Sequence, residues 1–287
     1  MGRIAYVNGR YVRQADAYVH IEDRGYQFAD AVYEVWAVFG GKLADADGHM
    51  ERLGRSLQEL KIAPPMTRQA LDVVIKEVLR RNGVREGTVY LQVSRGVAAR
   101  DHAFPRTPVP RGVVVTAKAL DRPAAEAKAA KGVRVITVEE NRWGRCDIKT
   151  VGLLPNALAK QQAAEAGASE AWFVDELGLV TEGAASNAWI LDGDGVLRTR
   201  DVNANILRGI TRRTLIDVIR ESGIPLSEKP FTPEEAKAAK EAFITGAGAI
   251  VTAVTHVDGA PIGDGSPGPV AARLRSLYIE RARATAS

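Results

Sequence analysis

The spacing of apolar residues along the chain switches between two periods, one typical of strands and one typical of helices. Val, Tyr and Trp dominate residues 31–39, and Gly40-Gly41 follows, which predicts a strand and a turn. Leu53, Leu57 and Leu60 recur at helical spacing before a pair of prolines, which predicts a helix that ends there. The same patterns predict a tight turn at Asn8-Gly9, strands at 88–94, 112–118, 133–138, 171–174, 187–191, 242–245 and 251–257, and helices at 71–79, 154–166, 211–221, from Thr232 and from about Pro269.

The pattern breaks once, around residues 120–123, and strands and helices are mixed on both sides of the break. We therefore expect a mixed α/β protein of two domains. The predicted small N-terminal domain covers 1–120, a linker covers 121–125, and a larger C-terminal domain covers 126–287. A chain of 287 residues, 46% of them hydrophobic, is long enough to form both cores.

Composition changes this picture little but excludes several kinds of function. The chain has 39 basic and 35 acidic residues, and the resulting net charge of +4 is spread along it, so nucleic-acid binding is not indicated. Dinucleotide, P-loop and zinc motifs are absent, and the four histidines lack metal-ligand spacing, so we expect no metal site. A single cysteine and the lack of a signal peptide or membrane-length apolar run predict a cytoplasmic protein.

Lys149 is the first of three candidates for chemistry. It lies in the stretch 145–150, between a predicted strand and a predicted helix. A lysine at such a junction can point into a cleft, where its amine can attack a carbonyl. Taken alone, the pattern is more typical of a surface lysine in a loop.

Glu182 is the second candidate, because it enters a run of small residues, 183–186, between two predicted strands. Small residues let a flat ring lie close to the backbone, and a carboxylate there could keep a ring nitrogen protonated. The alternative is a surface turn.

The third candidate is the stretch 207–211, which opens a predicted helix. A helix start offers backbone N–H groups and the positive end of the helix dipole to a phosphate, Gly209 permits close approach, and Thr211 adds a hydroxyl. Alternatively, Thr211 only caps its own helix. A second turn of small residues, 245–249, could supply further amides.

Together, these stretches provide what pyridoxal 5'-phosphate needs from a protein: a lysine, a carboxylate facing the ring and a phosphate cradle. Their order along the chain closely resembles that of class IV (fold type IV) aminotransferases, and within them the D-amino-acid branch. The resemblance covers nearly the whole chain. The motifs that carry it are residues 22–28, 32–35, 49–53, 147–149 with 153–156, 181–183 with 186–187, and 209–212.

This resemblance implies a role for each matching residue. In the family, the lysine matching Lys149 is the catalytic residue and bonds covalently to the cofactor, and the glutamate matching Glu182 pairs with the pyridine nitrogen. At Ala247 relatives often place a hydroxyl residue on the phosphate, so here only backbone N–H groups could serve. The residues that match cofactor-binding positions are Arg52, Lys149, Glu182, Leu207, Gly209, Ile210, Thr211, Gly246 and Ala247.

The predicted substrate specificity depends on an R-x-H pair. Arg100 and His102 match residues that, in D-amino-acid aminotransferases, bind the substrate 2-carboxylate together with the tyrosine matching Tyr33. Two donors two residues apart on an extended loop project to one side, and arginine can bind a carboxylate through two bonds. In the family this loop reaches the partner subunit's site, which implies a homodimer. An exposed charged loop among prolines is the alternative.

The resemblance thus implies a two-domain fold type IV enzyme with its cofactor at the domain interface. Its expected reaction is ping-pong transamination between D-amino acids, such as D-alanine, and 2-oxo acids, such as 2-oxoglutarate and pyruvate. Enzymes on the same scaffold remain alternatives: a branched-chain L-amino-acid aminotransferase, an (R)-amine transaminase or an aminodeoxychorismate lyase. A non-catalytic basic binding protein is an alternative of another class.

Overall fold

The computed structural model describes residues 3–203 and 205–287. The chain divides into two compact units by its internal contacts. Unit 1 comprises Met1–Arg122, Ile148–Gly152 and Thr285–Ser287, and unit 2 comprises Pro123–Asp147 and Leu153–Ala284.

Unit 1 contains, within the described residues, one antiparallel sheet of six strands in the order β2-β1-β6-β5-β3-β4. The hairpin between the first two strands turns at Asn8 and Gly9, whose φ angles of 46° and 93° match the left-handed turn that suits twisted strands. The six strands are β1 (Ile4–Val7), β2 (Arg10–Arg13), β3 (Ala31–Phe39), β4 (Lys42–Leu43), β5 (Gly87–Ser94) and β6 (Gly112–Ala119).

Helices pack against this sheet and complete the core of unit 1. They are α1 (Arg24–Phe28), α2 (Ala46–Glu59) and α3 (Arg68–Asn82). The apolar faces of α2 and α3 meet the sheet, so that Leu57 and Ile75 are buried with Trp36 of β3. Gly83 ends α3 in the left-handed conformation, as the Asn-Gly pair at 82–83 predicts.

Unit 2 contains, among the described residues, a mixed sheet of nine strands in the order β12-β11-β10-β13-β14-β7-β8-β9, with β15 beside β14. The pairs β11/β12, β14/β7 and β7/β8 are parallel and the others antiparallel. The strands are β7 (Val133–Glu139), β8 (Glu170–Val174), β9 (Val180–Gly183), β10 (Asn187–Leu191), β11 (Leu197–Thr199), β12 (Leu226–Ser227), β13 (Glu241–Gly246), β14 (Ile250–Val257) and β15 (Ala260–Pro261).

The helices after the first unit carry the local signals that the sequence predicted. Thr232 caps one of them through a complete capping box with Glu235. No helix among the described residues is long and apolar enough to cross a bilayer. The helices are α4 (Arg122–Ala129), α5 (Leu154–Glu165), α6 (Ile210–Glu221), α7 (Pro233–Lys237) and α8 (Pro269–Thr285).

The mixed α/β fold is as predicted, but three local predictions differ from the structure. Residues 122–125, expected in a linker, form the first turn of α4, because four alanines in 122–129 favour a helix after Pro123. Residues 180–183 form strand β9, although the sequence predicted no strand there. Lys149, expected in the C-terminal domain, belongs to unit 1, because residues 148–152 bond to β3.

Candidate functional site

Lys149 is held in unit 1 by its backbone. Its carbonyl oxygen accepts from the Tyr33 N–H at 3.0 Å, and its N–H donates to Ser56 Oγ at 3.3 Å. The next residue, Thr150, forms an isolated antiparallel bridge with Val32 of β3. This segment therefore acts as a short extra strand beside β3, and the position of the lysine follows from the sheet.

The Lys149 side chain is half-buried and lies over an aromatic ring. Its Nζ is 4.2 Å from the centroid of the Tyr33 ring. No carboxylate of the described residues lies within ion-pair distance of this amine. The structure thus brings together the predicted catalytic lysine and one predicted substrate residue.

Tyr33 also stacks on Tyr90 of the neighbouring strand, with ring centroids 5.6 Å apart. The Tyr90 hydroxyl donates to Gln92 Oε1 at 2.7 Å. Burial and the nearby Tyr33 raise the pKa of Tyr90 to about 12, so this phenol stays neutral near pH 7. The stack fixes the Tyr33 ring that lies against Lys149.

Arg52 lies in a buried polar cluster within the apolar core of unit 1. Its Nε and Nη2 donate to the two Glu34 carboxylate oxygens at 2.8 and 2.7 Å, and His49 Nδ1 lies 2.7 Å from Glu34 Oε2. Burial favours the neutral acid, but the Arg52 guanidinium and the His49 ring outweigh it and lower the pKa of Glu34 to about 2. The role of Arg52 in cofactor binding stays a prediction.

Sequence reasoning assigned no role to Glu34, although it occurs in one of the quoted motifs. A charged residue between Tyr33 and Val35, in an otherwise apolar strand, is the signal that could have marked it. Such a residue is buried only with a partner of opposite charge.

Arg100 and His102 are exposed on the loop that follows β5 in unit 1. Both side chains contact the ring of Phe28 at the end of α1. The Arg100 Cζ is 5.2 Å from the centroid of that ring, and the His102 and Phe28 ring centroids are 5.4 Å apart. The structure therefore brings the two predicted carboxylate-binding residues together on one aromatic surface.

In unit 2, Glu182 is buried in strand β9 and accepts hydrogen bonds from three directions. Arg142 Nη1 donates to Oε1 at 2.6 Å, and Asn187 Nδ2 donates to Oε2 at 3.0 Å. The backbone N–H of Leu207 lies 3.1 Å from both oxygens. The surface-turn alternative for Glu182 is wrong, because its side chain is almost fully buried in an ordered strand.

Arg142 joins Glu182 to a second carboxylate that the sequence analysis missed. Its Nη2 donates to Glu140 Oε2 at 2.6 Å, and the Thr181 hydroxyl donates to the same oxygen at 2.8 Å. The guanidinium also lies over the Phe173 ring, 4.4 Å from its centroid. Glu140 and Arg142 follow β7 as an ordinary charged loop in the sequence, so no local pattern marked them.

The N-terminus of α6 is buried and lacks a side-chain cap. The N-cap residue is Gly209, which has no side chain with which to cap the helix. Thr211 lies inside the helix, so the alternative that it caps its own helix is wrong. Ile210 and Thr211 are buried, and their N–H groups have no acceptor among the residues that the structure describes. Buried N–H groups of this kind rarely stay unsatisfied, so this helix start is suited to an anion.

Gly209 is required by the close approach of Asn187. A Cβ at Gly209 would lie 2.0 Å from Asn187 Oδ1, and the Asn187 amide also donates to the Leu207 carbonyl at 3.1 Å. The same side chain therefore positions both Glu182 and the residues that lead into α6.

The predicted turn at Gly246 and Ala247 follows β13, which packs beside α6. A Cβ at Gly246 would lie 3.1 Å from the Ala185 carbonyl oxygen, so a larger residue is disfavoured there. Ala247 has no hydroxyl and offers only its backbone N–H. Among the described residues, no cluster of His, Cys, Asp or Glu is suited to a metal ion.

Comparisons with known proteins match nearly the whole chain to aminotransferases. The model of the family "Amino-transferase class IV" matches residues 31–257. The D-alanine aminotransferase of Listeria innocua is 40% identical over 275 residues, which cover 96% of this chain and 94% of that protein. The D-alanine aminotransferase of Staphylococcus haemolyticus is 40% identical over 279 residues, which cover 96% and 97%.

A solved structure gives a further similar protein. The branched-chain amino acid aminotransferase of T.th., crystallised with pyridoxamine 5'-phosphate, superposes with a TM-score of 0.88 at 31% identity. The similarity covers 98% of this chain and 94% of that chain, so it extends through both compact units.

Proposed function

The chain belongs to the class IV aminotransferase family, and we propose that it transfers amino groups between D-amino acids, such as D-alanine, and 2-oxo acids, such as 2-oxoglutarate and pyruvate. The observation that carries this proposal is the 40% identity to D-alanine aminotransferases over 96% of the chain. The convergence of Arg100 and His102 on Phe28 supports it, since a 2-carboxylate needs two donors close together.

The residues present fit pyridoxal 5'-phosphate, the cofactor of this family. The N–H groups of Ile210 and Thr211 at the buried start of α6 suit the phosphate. The carboxylate of Glu182, buried and fixed by Arg142 and Asn187, suits a protonated ring nitrogen. The amine of Lys149 has no counter-ion among the described residues and suits the aldehyde.

Each residue then has a defined task in the reaction. When bound, pyridoxal phosphate supplies a ring that accepts the electrons released at the substrate alpha carbon. The Lys149 amine removes the alpha proton as a general base and returns it as a general acid. Glu182 holds the proton on the ring nitrogen, and Arg100, His102 and Tyr33 bind the substrate carboxylate. The second half-reaction uses the same residues in reverse, so we expect ping-pong kinetics.

A branched-chain L-amino-acid aminotransferase is the second candidate. It is favoured by the TM-score of 0.88 to the T.th. enzyme, which shares 31% identity with this chain. Comparing D-alanine with L-leucine as amino donors to 2-oxoglutarate decides between the two. A turnover that favours L-leucine would overturn the proposed specificity.

Replacing Lys149 by Ala tests the catalytic assignment. We expect transamination to fall by several orders of magnitude, because no other group takes the place of the covalent attachment and the general base. Turnover of Lys149→Ala is compared with that of Lys76→Ala, the matched control on the exposed face of α3. Borohydride reduction of the wild-type holoenzyme followed by peptide mapping identifies the lysine that carries the cofactor. Label on another lysine, or near-normal turnover of Lys149→Ala, would contradict the assignment.

Replacing Arg100 by Ala tests the substrate assignment. Loss of one charged hydrogen bond to the carboxylate costs about 1.5–3 kcal/mol, so KM for D-alanine should rise roughly 10- to 100-fold. Initial rates at varied D-alanine and fixed 2-oxoglutarate provide the measurement. Replacement of Arg106 by Ala, at an exposed arginine of the same loop with no assigned role, is the control. An unchanged KM in Arg100→Ala would move carboxylate recognition elsewhere.

The active form proposed for this enzyme is a cytoplasmic homodimer. Exposed apolar side chains support the dimer: Leu154 and Leu158 lie four residues apart on one face of α5, 71% and 55% exposed. In unit 1, Tyr18, Ile21 and Tyr26 are each more than 70% exposed. An exposed apolar face such as that of α5 is typical of surfaces that a partner covers. The single cysteine, Cys146, suits a reducing compartment.

A further inference from the structure

The loop that carries Arg100 and His102 is held from inside unit 1 by the buried side chain of Arg24. Arg24 Nη1 donates to the carbonyl oxygens of Asp101 at 2.5 Å and Ala103 at 3.2 Å. Its Nη2 donates to the carbonyl oxygen of His102 at 3.3 Å. One guanidinium thus binds three consecutive carbonyl groups, which fixes the backbone course of the loop at His102 and just after Arg100.

Arg24 is itself anchored by a carboxylate that it shares with a second arginine. Its Nε donates to Asp30 Oδ2 at 2.8 Å, and Arg95 donates to the two Asp30 oxygens at 2.6 and 2.9 Å. Arg95 in turn donates to the carbonyl oxygens of Leu60 and Lys61. All three charged side chains are at most 9% exposed. The anchor is therefore part of the core and not a surface ion pair.

The same guanidinium also fixes the aromatic surface on which the two loop side chains lie. Arg24 Cζ is 4.8 Å from the centroid of the Phe28 ring, the ring that Arg100 and His102 contact. The backbone N–H of Arg24 donates to the carbonyl oxygen of Gly96 at 2.9 Å, near the start of the loop. Arg24 therefore controls both the backbone of the loop and the ring beneath its side chains.

We propose that Arg24 is a positioning residue for substrate specificity, which sets the carboxylate-binding geometry of Arg100 and His102 without contacting the substrate. This inference rests on the proposed function, because it assigns those two residues to the 2-carboxylate. Bidentate recognition tolerates little displacement, and an error of about 1 Å in a substrate-positioning group can cost about 100-fold in rate. Most residues of this loop are exposed, so the buried Arg24, which holds three of its carbonyl groups, supplies order that recognition needs.

The variant Arg24→Lys tests the proposal in the full-length holoenzyme. An ammonium group can keep the bond to Asp30 or a carbonyl contact but cannot form the fork of bonds that the guanidinium makes. We expect KM for D-alanine and for 2-oxoglutarate each to rise by about 10-fold, since both carry a 2-carboxylate, with kcat within about twofold of wild type. KM does not depend on the fraction of enzyme that is active, so a modest loss of folded protein leaves the result interpretable.

A double-mutant cycle with Arg100→Ala separates positioning from a general structural role. If Arg24 acts through Arg100, the change Arg24→Lys raises KM much less in the Arg100→Ala background than in wild type. Hydrogen exchange supplies a readout independent of activity: amides of residues 98–110 should exchange faster in Arg24→Lys, and those of α2 should not. The matched control is Arg13→Lys, at an exposed arginine paired with Asp16 on the surface.

Each outcome decides the question. Unchanged KM values in Arg24→Lys, or an effect of equal size in the Arg100→Ala background, overturn the positioning role. Loss of all folded protein also overturns it, because Arg24 would then serve the stability of unit 1 and not the loop. A wild-type enzyme that does not use D-alanine defeats the proposed function first, and that failure is visible before any variant is made.

Discussion

Glu34 and His49 show how single residues of unit 1 are tuned by burial. The Glu34 carboxylate is fully buried, yet Arg52 and His49 keep it ionised down to a pKa of about 2. For His49, burial lowers the pKa more than the bond to Glu34 raises it, so the ring is neutral at pH 7. The neutral ring can donate its Nδ1 proton to Glu34, which makes His49 a structural partner of the ion pair.

These directions predict that acid destabilises the protein in two steps. The pKa of both groups is lower in the folded state, so their contribution to stability is present above the unfolded pKa values and is lost as the pH falls. The unfolded chain takes up the His49 proton below about pH 6.5, and the Glu34 proton between about 4.5 and 2. The slope for one proton is at most about 1.4 kcal/mol per pH unit.

Replacing His49 by Gln should therefore flatten the first step. Melting temperatures at pH 5, 6 and 7 provide the measurement, and His20→Gln, at an exposed histidine, is the control. The variant loses stability at pH 7 but should lose less than wild type between pH 7 and 5. An unchanged slope would show that His49 does not carry this dependence.

At the scale of elements, the sequence predicted strands and helices where apolar residues alternate or recur at helical spacing. Strand β3 and strand β10 have the predicted bounds, because mostly apolar residues fill them and polar residues or glycine flank them. Strand β9 was missed, since its four residues pair as a strand only through contacts with β8, which sequence spacing does not report. The helix start at 209–211 was predicted from its glycine and hydroxyl, and it begins one residue earlier than expected.

The packing of Gly209 against Asn187 predicts the effect of a single methyl group at the start of α6. In Gly209→Ala the new Cβ displaces Asn187, whose amide also holds Glu182, and overpacking of this kind costs about 1–3 kcal/mol. We expect a lower melting temperature and roughly 10-fold weaker cofactor binding, measured by titrating the apoenzyme with pyridoxal phosphate.

Gly54→Ala is the matched control for that change. Gly54 is exposed in the middle of α2, and a Cβ there meets no atom within 4 Å. Alanine should stabilise the helix by about 0.5–1 kcal/mol and leave cofactor binding unchanged. Equal effects of the two substitutions would disprove the steric argument.

At the scale of the whole molecule, the sequence predicted the fold class and the reaction chemistry better than the grouping of residues in space. The lysine was placed correctly between a strand and a helix, but its membership of unit 1 depends on backbone bonds to β3, more than 100 residues earlier. The sequence suggested no role for Arg24 or Arg142, because their roles arise from contacts with residues distant in the chain.

The exposed leucines of α5 allow a test of the proposed homodimer. In Leu158→Glu a charge replaces a side chain that is 55% exposed in the single chain, and burying that charge in an interface is unfavourable. We expect the proposed homodimer to dissociate, measured by size-exclusion chromatography with light scattering, and activity to fall with it. Leu177→Glu, in a turn and 75% exposed, is the control, and a dimer that survives Leu158→Glu would exclude this face of α5 from the interface.

The segment 148–152 completes unit 1 from within the sequence of unit 2, and Ser287 pairs with Leu43 although 243 residues lie between them. During synthesis, the strands of the first 122 residues leave the ribosome long before the lysine segment that binds beside them. The partner of Leu43 emerges later still. A chain truncated near residue 122 would therefore lack Lys149, the proposed catalytic residue, beside β3. The nascent polypeptide gains this residue only late in its synthesis.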